Sequence, residues 1–401
     1  MWTRHQAQLD ALVAKVAEHA RLLPALTARE SARERARLVA CVARGDRAEP
    51  RFDATPRKVD RAVWQSLAAA RALAASSVSP SLYLRRLDEL ELDLRLLACL
   101  GAPREVRPLA ARRFGTGREP VDINGTAAPL RDVARVLLEG LDPGREARTV
   151  PARARPGGPS LEGHVRRLAA AAGVDVAVRI EPRLAANAAA GEHTVFLADR
   201  SFGAREALRI AVHEVLGHIV AAFNGRAQPL RLLSIGTAGS FEDQEGLAIY
   251  LEEQAGLLDP HRVRTLAARV MAAAWMHDGA SFDEVARRLL RDEGFDVAET
   301  VALCERAFRG GGVARDVVYL RGWLRVRAAL AAREATVDEV RWGRVGVADV
   351  PALRALAEAG WLRPPPYTPS LARSLRSTEG GTRLETSPPS LVTSLTRFEA
   401  T

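Results

Sequence analysis

Apolar residues recur mainly every three to four positions, which predicts helix along most of this chain. From Gln8 to Leu26 the apolar set is Leu9, Leu12, Val13, Val16 and Leu23, the spacing of one face of an amphipathic helix. Residues 1–75 read as a helical N-terminal region, broken by a stretch rich in Arg, Asp and Pro at 44–57. A second helix over 78–100 carries Leu82, Leu87, Leu90, Leu94 and Leu97 and stops at Gly101 and Pro103. Pro and Gly between 142 and 159 punctuate the chain. Val174–Ile180 alternates apolar with other residues, and Thr194–Ala198 is a short β-favouring run, so each predicts a strand. A helix over 203–222 comes next, and from 242 to about 333 the period is helical again, with Gly310, Gly311 and Gly312 as a loop. The last segment, 370–401, is rich in Ser, Thr, Pro and Gly and reads as a disordered tail. The fold class is therefore a predominantly helical α+β protein, with a small sheet beside the 203–222 helix.

Composition narrows the class. The 401 residues are 47% hydrophobic and 27% charged, as in a globular protein. No apolar run approaches the roughly 20 residues that span a bilayer, and the start lacks a basic segment followed by an apolar one. Cys41, Cys99 and Cys304 are widely spaced and odd in number, which argues against a disulfide framework and for a cytoplasmic location. The net charge of +9 raises nucleic acid as a partner. Its carriers are arginines, with Lys15 and Lys58 the two lysines, and they are mixed with Asp and Glu instead of forming a stripe. Neither nucleic acid nor a membrane is expected as partner.

The chemistry concentrates in Ile210–Val220, which holds His213, Glu214 and His218. Two histidines on a helix, with a glutamate after the first, is an arrangement zinc peptidases use. Their usual spacing of four puts the rings about 40° apart around the helix, whereas five turns the second about 140° away. A single π-type turn absorbs one residue and returns His218 to the face of His213. Gly217 marks the place where backbone distortion is cheapest. The pair is therefore either accidental or part of a bulged metal helix. About 27 residues on, Glu242, Asp243, Gln244 and Glu245 open a helix whose later residues are apolar. A buried carboxylate needs a partner, and a glutamate from this helix completes a two-histidine, one-glutamate zinc site with a position open for water.

The run Gln244, Glu245, Gly246, Leu247, Ala248, downstream of His213–His218, resembles the QEGLA-motif proteins, relatives of the microtubule-associated tyrosine carboxypeptidase. Further similar segments are Arg306–Gly310, Asp316–Gly322, Gly343–Val345 and Pro364–Tyr367. Together they cover roughly 76–369. The resemblance implies a zincin-like metallopeptidase domain over 76–369, acting as a carboxypeptidase on a peptide or protein C-terminus. It makes His213, His218 and Glu245 the Zn²⁺ ligands and Glu214 the base that takes a proton from the attacking water and passes it to the leaving amine. Tyr319 becomes the candidate donor to the developing oxyanion. Arg309, Arg315 and Arg321 become candidates to read the substrate carboxylate as a two-pronged fork. Thr194–Ala198 reads as an edge strand for extended substrate. Two departures, Gly217 and the Ala314–Asp316 stretch, bear on substrate preference and leave the ligands in place. The arginine bias fits a bacterial source, where a natural-product precursor peptide is one possible substrate. A regulatory or binding protein that retains the metal site is the alternative, and a nucleic-acid-binding protein a weaker one.

Overall fold

The computed structural model describes residues 4–26, 31–52, 54–123, 125–142, 149–154, 158–182, 184 and 186–376. It is a predominantly helical α+β structure with small sheets. The N-terminal residues form helices Arg4–His19, Leu22–Leu26, Ser31–Arg44 and Arg61–Ala74, and Pro80–Cys99 succeeds them as the Leu-periodic helix. These helices do not stand apart from the rest of the chain. Leu9, Val13 and Val16 of the first helix belong to the same buried cluster as Val212, Val215, Leu247 and Val326. Where 370–401 reads as tail, Leu371–Arg376 forms a short helix with Leu371 and Leu375 against that cluster; positions 377–401 lie outside the described residues.

A three-stranded sheet stands ahead of the histidine segment. Ala177–Glu181 pairs parallel with Thr194–Ala198, in the register Ala177 to Thr194. Ala188–Ala190 pairs antiparallel with the other side of Thr194–Ala198, Ala189 opposite Phe196. This corrects the expectation of an edge strand at Thr194–Ala198. It is the middle strand, its backbone groups are taken on both sides, and Val195 and Leu197 are fully buried. Within this sheet it is the edge strand Ala188–Ala190 that packs most closely on the histidine segment Val212–Ile219. An antiparallel hairpin, Pro120–Ile123 with Thr126–Pro129, and a pairing of Thr149–Pro151 with Ser201–Gly203 complete the strands among the described residues.

The helix Ser240–Gln254 organises the interior. Leu247 and Leu251 enter the first core cluster, whereas Ile249 enters a second, built with Val270, Met271, Leu303, Leu320 and Trp323. Burying each such side chain stabilises the fold by about 1.5–3 kcal/mol. A helix between two cores is covered all round, so its polar residues need partners inside the protein. Helix Pro260–His277, started by Pro260 and by the Asp259 carboxylate accepting from the Arg262 N–H at 2.8 Å, runs against the second core and carries Arg262 and Arg269.

Candidate metal centre and arginine cluster

Residues 204–227 form one continuous helix that changes pitch in the middle. Ala204–Ala211 is α-helical, Val212–Ile219 is π-helical, and Val220–Ala227 is α-helical again. The Val220 N–H donates to the Val215 carbonyl, five residues back. The wider turn takes up the fifth residue of the His–x–x–x–x–His spacing and puts the two rings together, centroids 4.9 Å apart and planes at 77°. Gly217 has a reason other than cheap distortion, because its φ is not in the left-handed region. A Cβ there would stand 2.6 Å from the Ala248 Cβ and 3.0 Å from its Cα, so the glycine lets the 240–254 helix approach.

That approach brings in Glu245. Its Oε2 lies 3.3 Å from His213 Nε2 and 3.6 Å from His218 Nε2, and the two Nε2 atoms are 3.2 Å apart. Among the described residues this is the one group of three or more His, Cys, Asp or Glu side chains arranged to hold an ion. Donors 2.0–2.2 Å from a tetrahedral zinc stand about 3.3–3.6 Å from one another, so the spacing fits such an ion. The chemistry fits as well. His213 Nδ1 donates to Glu252 Oε1 at 2.7 Å, which leaves the lone pair on Nε2, facing the other two donors.

The charge balance points the same way. Burial opposes a charged His213, but hydrogen bonds to Glu245 and Glu252 push its pKa up to about 9. Burial likewise opposes a charged Glu245, yet His218 and His213 hold it well below the usual carboxylate range. Without an ion, a proton does the work of a cation. Glu252 is fully buried, and although burial works against its charge, Arg262 and Arg209 keep it ionised. Arg209 Nη1 and Arg262 Nε each donate to its Oε2 at 3.3 Å. Glu214, on the π-helical turn beside His213, is buried and has no hydrogen-bond or ion-pair partner among the described residues.

Every residue of the Gln244–Ala248 run has a place. Gln244 Nε2 donates to the carbonyls of Val340 and Val345, 3.0 Å each. Glu245 faces the histidines. Gly246 crosses Gly322 of the helix Val317–Ala331 so closely that a Cβ would collide with the Gly322 carbonyl. Leu247 is core, and Ala248 meets Gly217. The closing Pro364–Tyr367 segment is tied to the histidine helix by Asn224, whose Oδ1 accepts from the Tyr367 N–H at 2.9 Å.

Beyond Glu245 the charge reverses. Asp316 is buried, and four guanidiniums turn to it. Arg306 Nη1 is 2.5 Å away, Arg269 Nε and Arg309 Nη2 are each 3.8 Å away, and Arg315 Nε is 4.0 Å away. Burial and the neighbouring arginine Arg306 bring Arg269 down to about 9. The Nε atoms of Arg269, Arg309 and Arg315 are buried without a hydrogen-bond partner. Positive φ angles at Gly310 and Gly311 turn the chain just after Arg309. Tyr319 links the two regions. Arg269 lies over its ring at 4.9 Å, and burial, Glu245 and Asp316 push its phenol pKa up, so it stays a hydrogen-bond donor.

The sequence-predicted residues thus fall into three groups. His213, His218, Glu245 and Glu214 come together on two helices. Arg309, Arg315 and Tyr319 gather around Asp316. Arg321 goes elsewhere, pairing with Glu242 through Nε at 2.8 Å and through Nη2. Sequence reasoning missed Glu252, although it stands seven residues after Glu245 and so on the same helix face. It also missed Arg262 and Arg269, another pair seven apart.

The structure is thus a helical protein in which a His, His, Glu constellation lies near a cluster of arginines around one buried carboxylate. Residues 41–384 match the family model "Microtubule-associated tyrosine carboxypeptidase", and the chain belongs to that family. The family supports a carboxypeptidase-like hydrolase function with peptides or proteins as substrates. A search of curated proteins gives no match. No helix among the described residues is long and apolar enough to cross a membrane.

Proposed function

We propose that the chain is a zinc-dependent carboxypeptidase that removes one C-terminal residue, with tyrosine or phenylalanine the first side chains to test. The observation that carries this reading is the convergence of three lone-pair donors at 3.2–3.6 Å. His213, His218 and Glu245 would hold the ion, which when bound polarises the scissile carbonyl and acidifies water. Glu214 takes the proton from the attacking water and delivers it to the leaving amine. Tyr319 donates to the developing oxyanion. Arg309 and Arg315, each with a buried Nε that makes no hydrogen bond, take the substrate carboxylate. Arg321, held on Glu242, serves to position the 240–254 helix. Glu252 orients His213 by fixing its tautomer.

The substrate is a peptide or protein end, and a natural-product precursor peptide is among the candidates. Three unpaired thiols, Cys41, Cys99 and Cys304, suit a cytoplasmic location. Digestion of one peptide as free acid and as C-terminal amide, read by mass spectrometry, tests the assignment. Loss of a single residue from the acid and none from the amide is expected. Internal cleavage, or equal cleavage of both forms, would overturn it.

A further inference from the structure

A second cationic site lies on the same helix as His218. Ala222, Gly225 and Arg226 come after His218 by four, seven and eight residues, about 40°, 20° and 80° from it around the helix axis and roughly 6–12 Å further along. Together with Arg231, Ser234 and Arg344 they line a cavity of about 450 Å³. This cavity is separate from the Asp316 cluster, and its residues take no part in the hydrolysis described above.

Three arginines, Arg226, Arg231 and Arg344, line this space. Arg226 is anchored, donating through Nη1 to the Glu192 carbonyl at 2.6 Å and lying over the Phe223 ring at 4.4 Å. The guanidiniums of Arg231 and Arg344 have no hydrogen-bond or ion-pair partner among the described residues. Arg344 is half-buried, and its backbone is pinned on both sides. Its N–H donates to the Leu233 carbonyl at 2.8 Å, and its carbonyl accepts from the Thr237 N–H at 3.0 Å. Gly343 next to it permits this approach, since a Cβ would stand 2.5 Å from the Leu233 oxygen. Burial lowers the pKa of Arg344, and Arg226, Arg86 and Arg21 lower it further against the opposing pull of Glu192. Gln228 braces the wall, exchanging hydrogen bonds with the Arg363 backbone at 2.9 and 3.0 Å. The Glu192 side chain is the one acidic group of the lining. An arginine on a pinned backbone, half withdrawn from water, without a partner among the described residues and sharing its cavity with two other cations, is arranged to meet an anion.

We infer that the cavity bounded by Arg226, Arg231 and Arg344 is an oxyanion-binding site for a carboxylate or phosphate group. That group is either carried by the bound peptide upstream of its C-terminus or supplied as a free anion. The first source rests on the carboxypeptidase reading; the second does not.

Inorganic phosphate titrated calorimetrically into the full chain is the first test. Arg344→Gln should weaken its binding at least tenfold, with unfolding temperature unchanged. Arg231→Gln, at an exposed position, gives the same direction should Arg344→Gln fold poorly. Two peptides that differ only in Glu or Gln a few residues before the C-terminus separate the sources. If the substrate carries the anion, the Glu peptide has the lower KM in the wild type. Its advantage then vanishes in Arg344→Gln, with kcat unaltered. If the anion is free, both peptides are processed alike while phosphate binding still depends on Arg344. Phosphate binding indifferent to both arginines, together with no preference for the Glu peptide, would overturn the site. Phosphate binding in a protein that hydrolyses neither peptide would instead remove the peptidase reading and leave this site standing.

Discussion

Two neighbouring regions of this molecule are unbalanced in opposite directions. Around His213 stand the carboxylates of Glu214, Glu245 and Glu252, with two guanidiniums, Arg209 and Arg262, both on Glu252. Around Asp316, four guanidiniums, Arg269, Arg306, Arg309 and Arg315, share that carboxylate, with Glu305 a more remote second one. Tyr319 stands between them. The first region lacks a cation and the second an anion, and a metal-dependent carboxypeptidase brings in both, the ion and the substrate's terminal carboxylate. Local imbalance among buried groups, where screening is weak, identifies a ligand far better than the net charge of the whole chain. The +9 of the sequence averages these two regions away.

The contrast can be broken from either side. On the acidic side the largest effect is expected from Glu214→Gln, which keeps the negative Glu245 and both histidines. It should retain zinc and lower peptide turnover by about 10²–10⁴-fold, the usual worth of a positioned acid–base group. Normal turnover would remove Glu214 from the reaction. On the basic side, Asp316→Asn removes the carboxylate that four mostly buried guanidiniums share, leaving the more remote Glu305 beside Arg306 and Arg309. A loss of about 3–5 kcal/mol is expected, the usual cost of breaking a buried ion pair, measured by denaturant unfolding. An unchanged midpoint would mean that solvent already neutralises the cluster.

A smaller effect sharpens the acidic side through pH. In the metal-free protein the His213 pKa is pushed up to about 9, above the usual value of 6.5. The folded state therefore binds this proton more tightly than the unfolded chain does. The stability it contributes is complete below pH 6.5 and is lost as pH rises through 9, at no more than about 1.4 kcal/mol per unit. Chelator-treated protein should unfold more easily at pH 9 than at pH 6.5, and saturating zinc should abolish the difference. Equal stability of the chelated protein at both pH values would show that the proton is not standing in for a cation.

The acidic side was the more legible in sequence. The two histidines, Glu214 and the Gln244–Ala248 run sit in short stretches, and the five-residue spacing itself called for the π-helical turn seen at Val212–Ile219. The basic side was less legible, because its arginines come from two helices and a turn, among dozens of others. Nothing local distinguishes Arg321, which pairs with Glu242, from Arg315, which faces Asp316. Only tertiary packing decides that. The same limit explains the strand Thr194–Ala198. Its composition predicts a strand, but its middle position depends on Ala188–Ala190, three alanines with little β preference of their own. Gly217 was visible as a glycine, while its partner Ala248, 31 positions away, emerged only with the helix crossing.

Central to the proposed function is one ion that His213, His218 and Glu245 would share from two helices. Metal analysis of the purified protein, beside His213→Ala and Glu245→Ala, tests it most directly. One zinc per chain is expected in the wild type, with loss of stoichiometric zinc in each variant while the fold, read by circular dichroism, is kept. A wild type without stoichiometric metal, or variants that both retain it, would contradict the assignment.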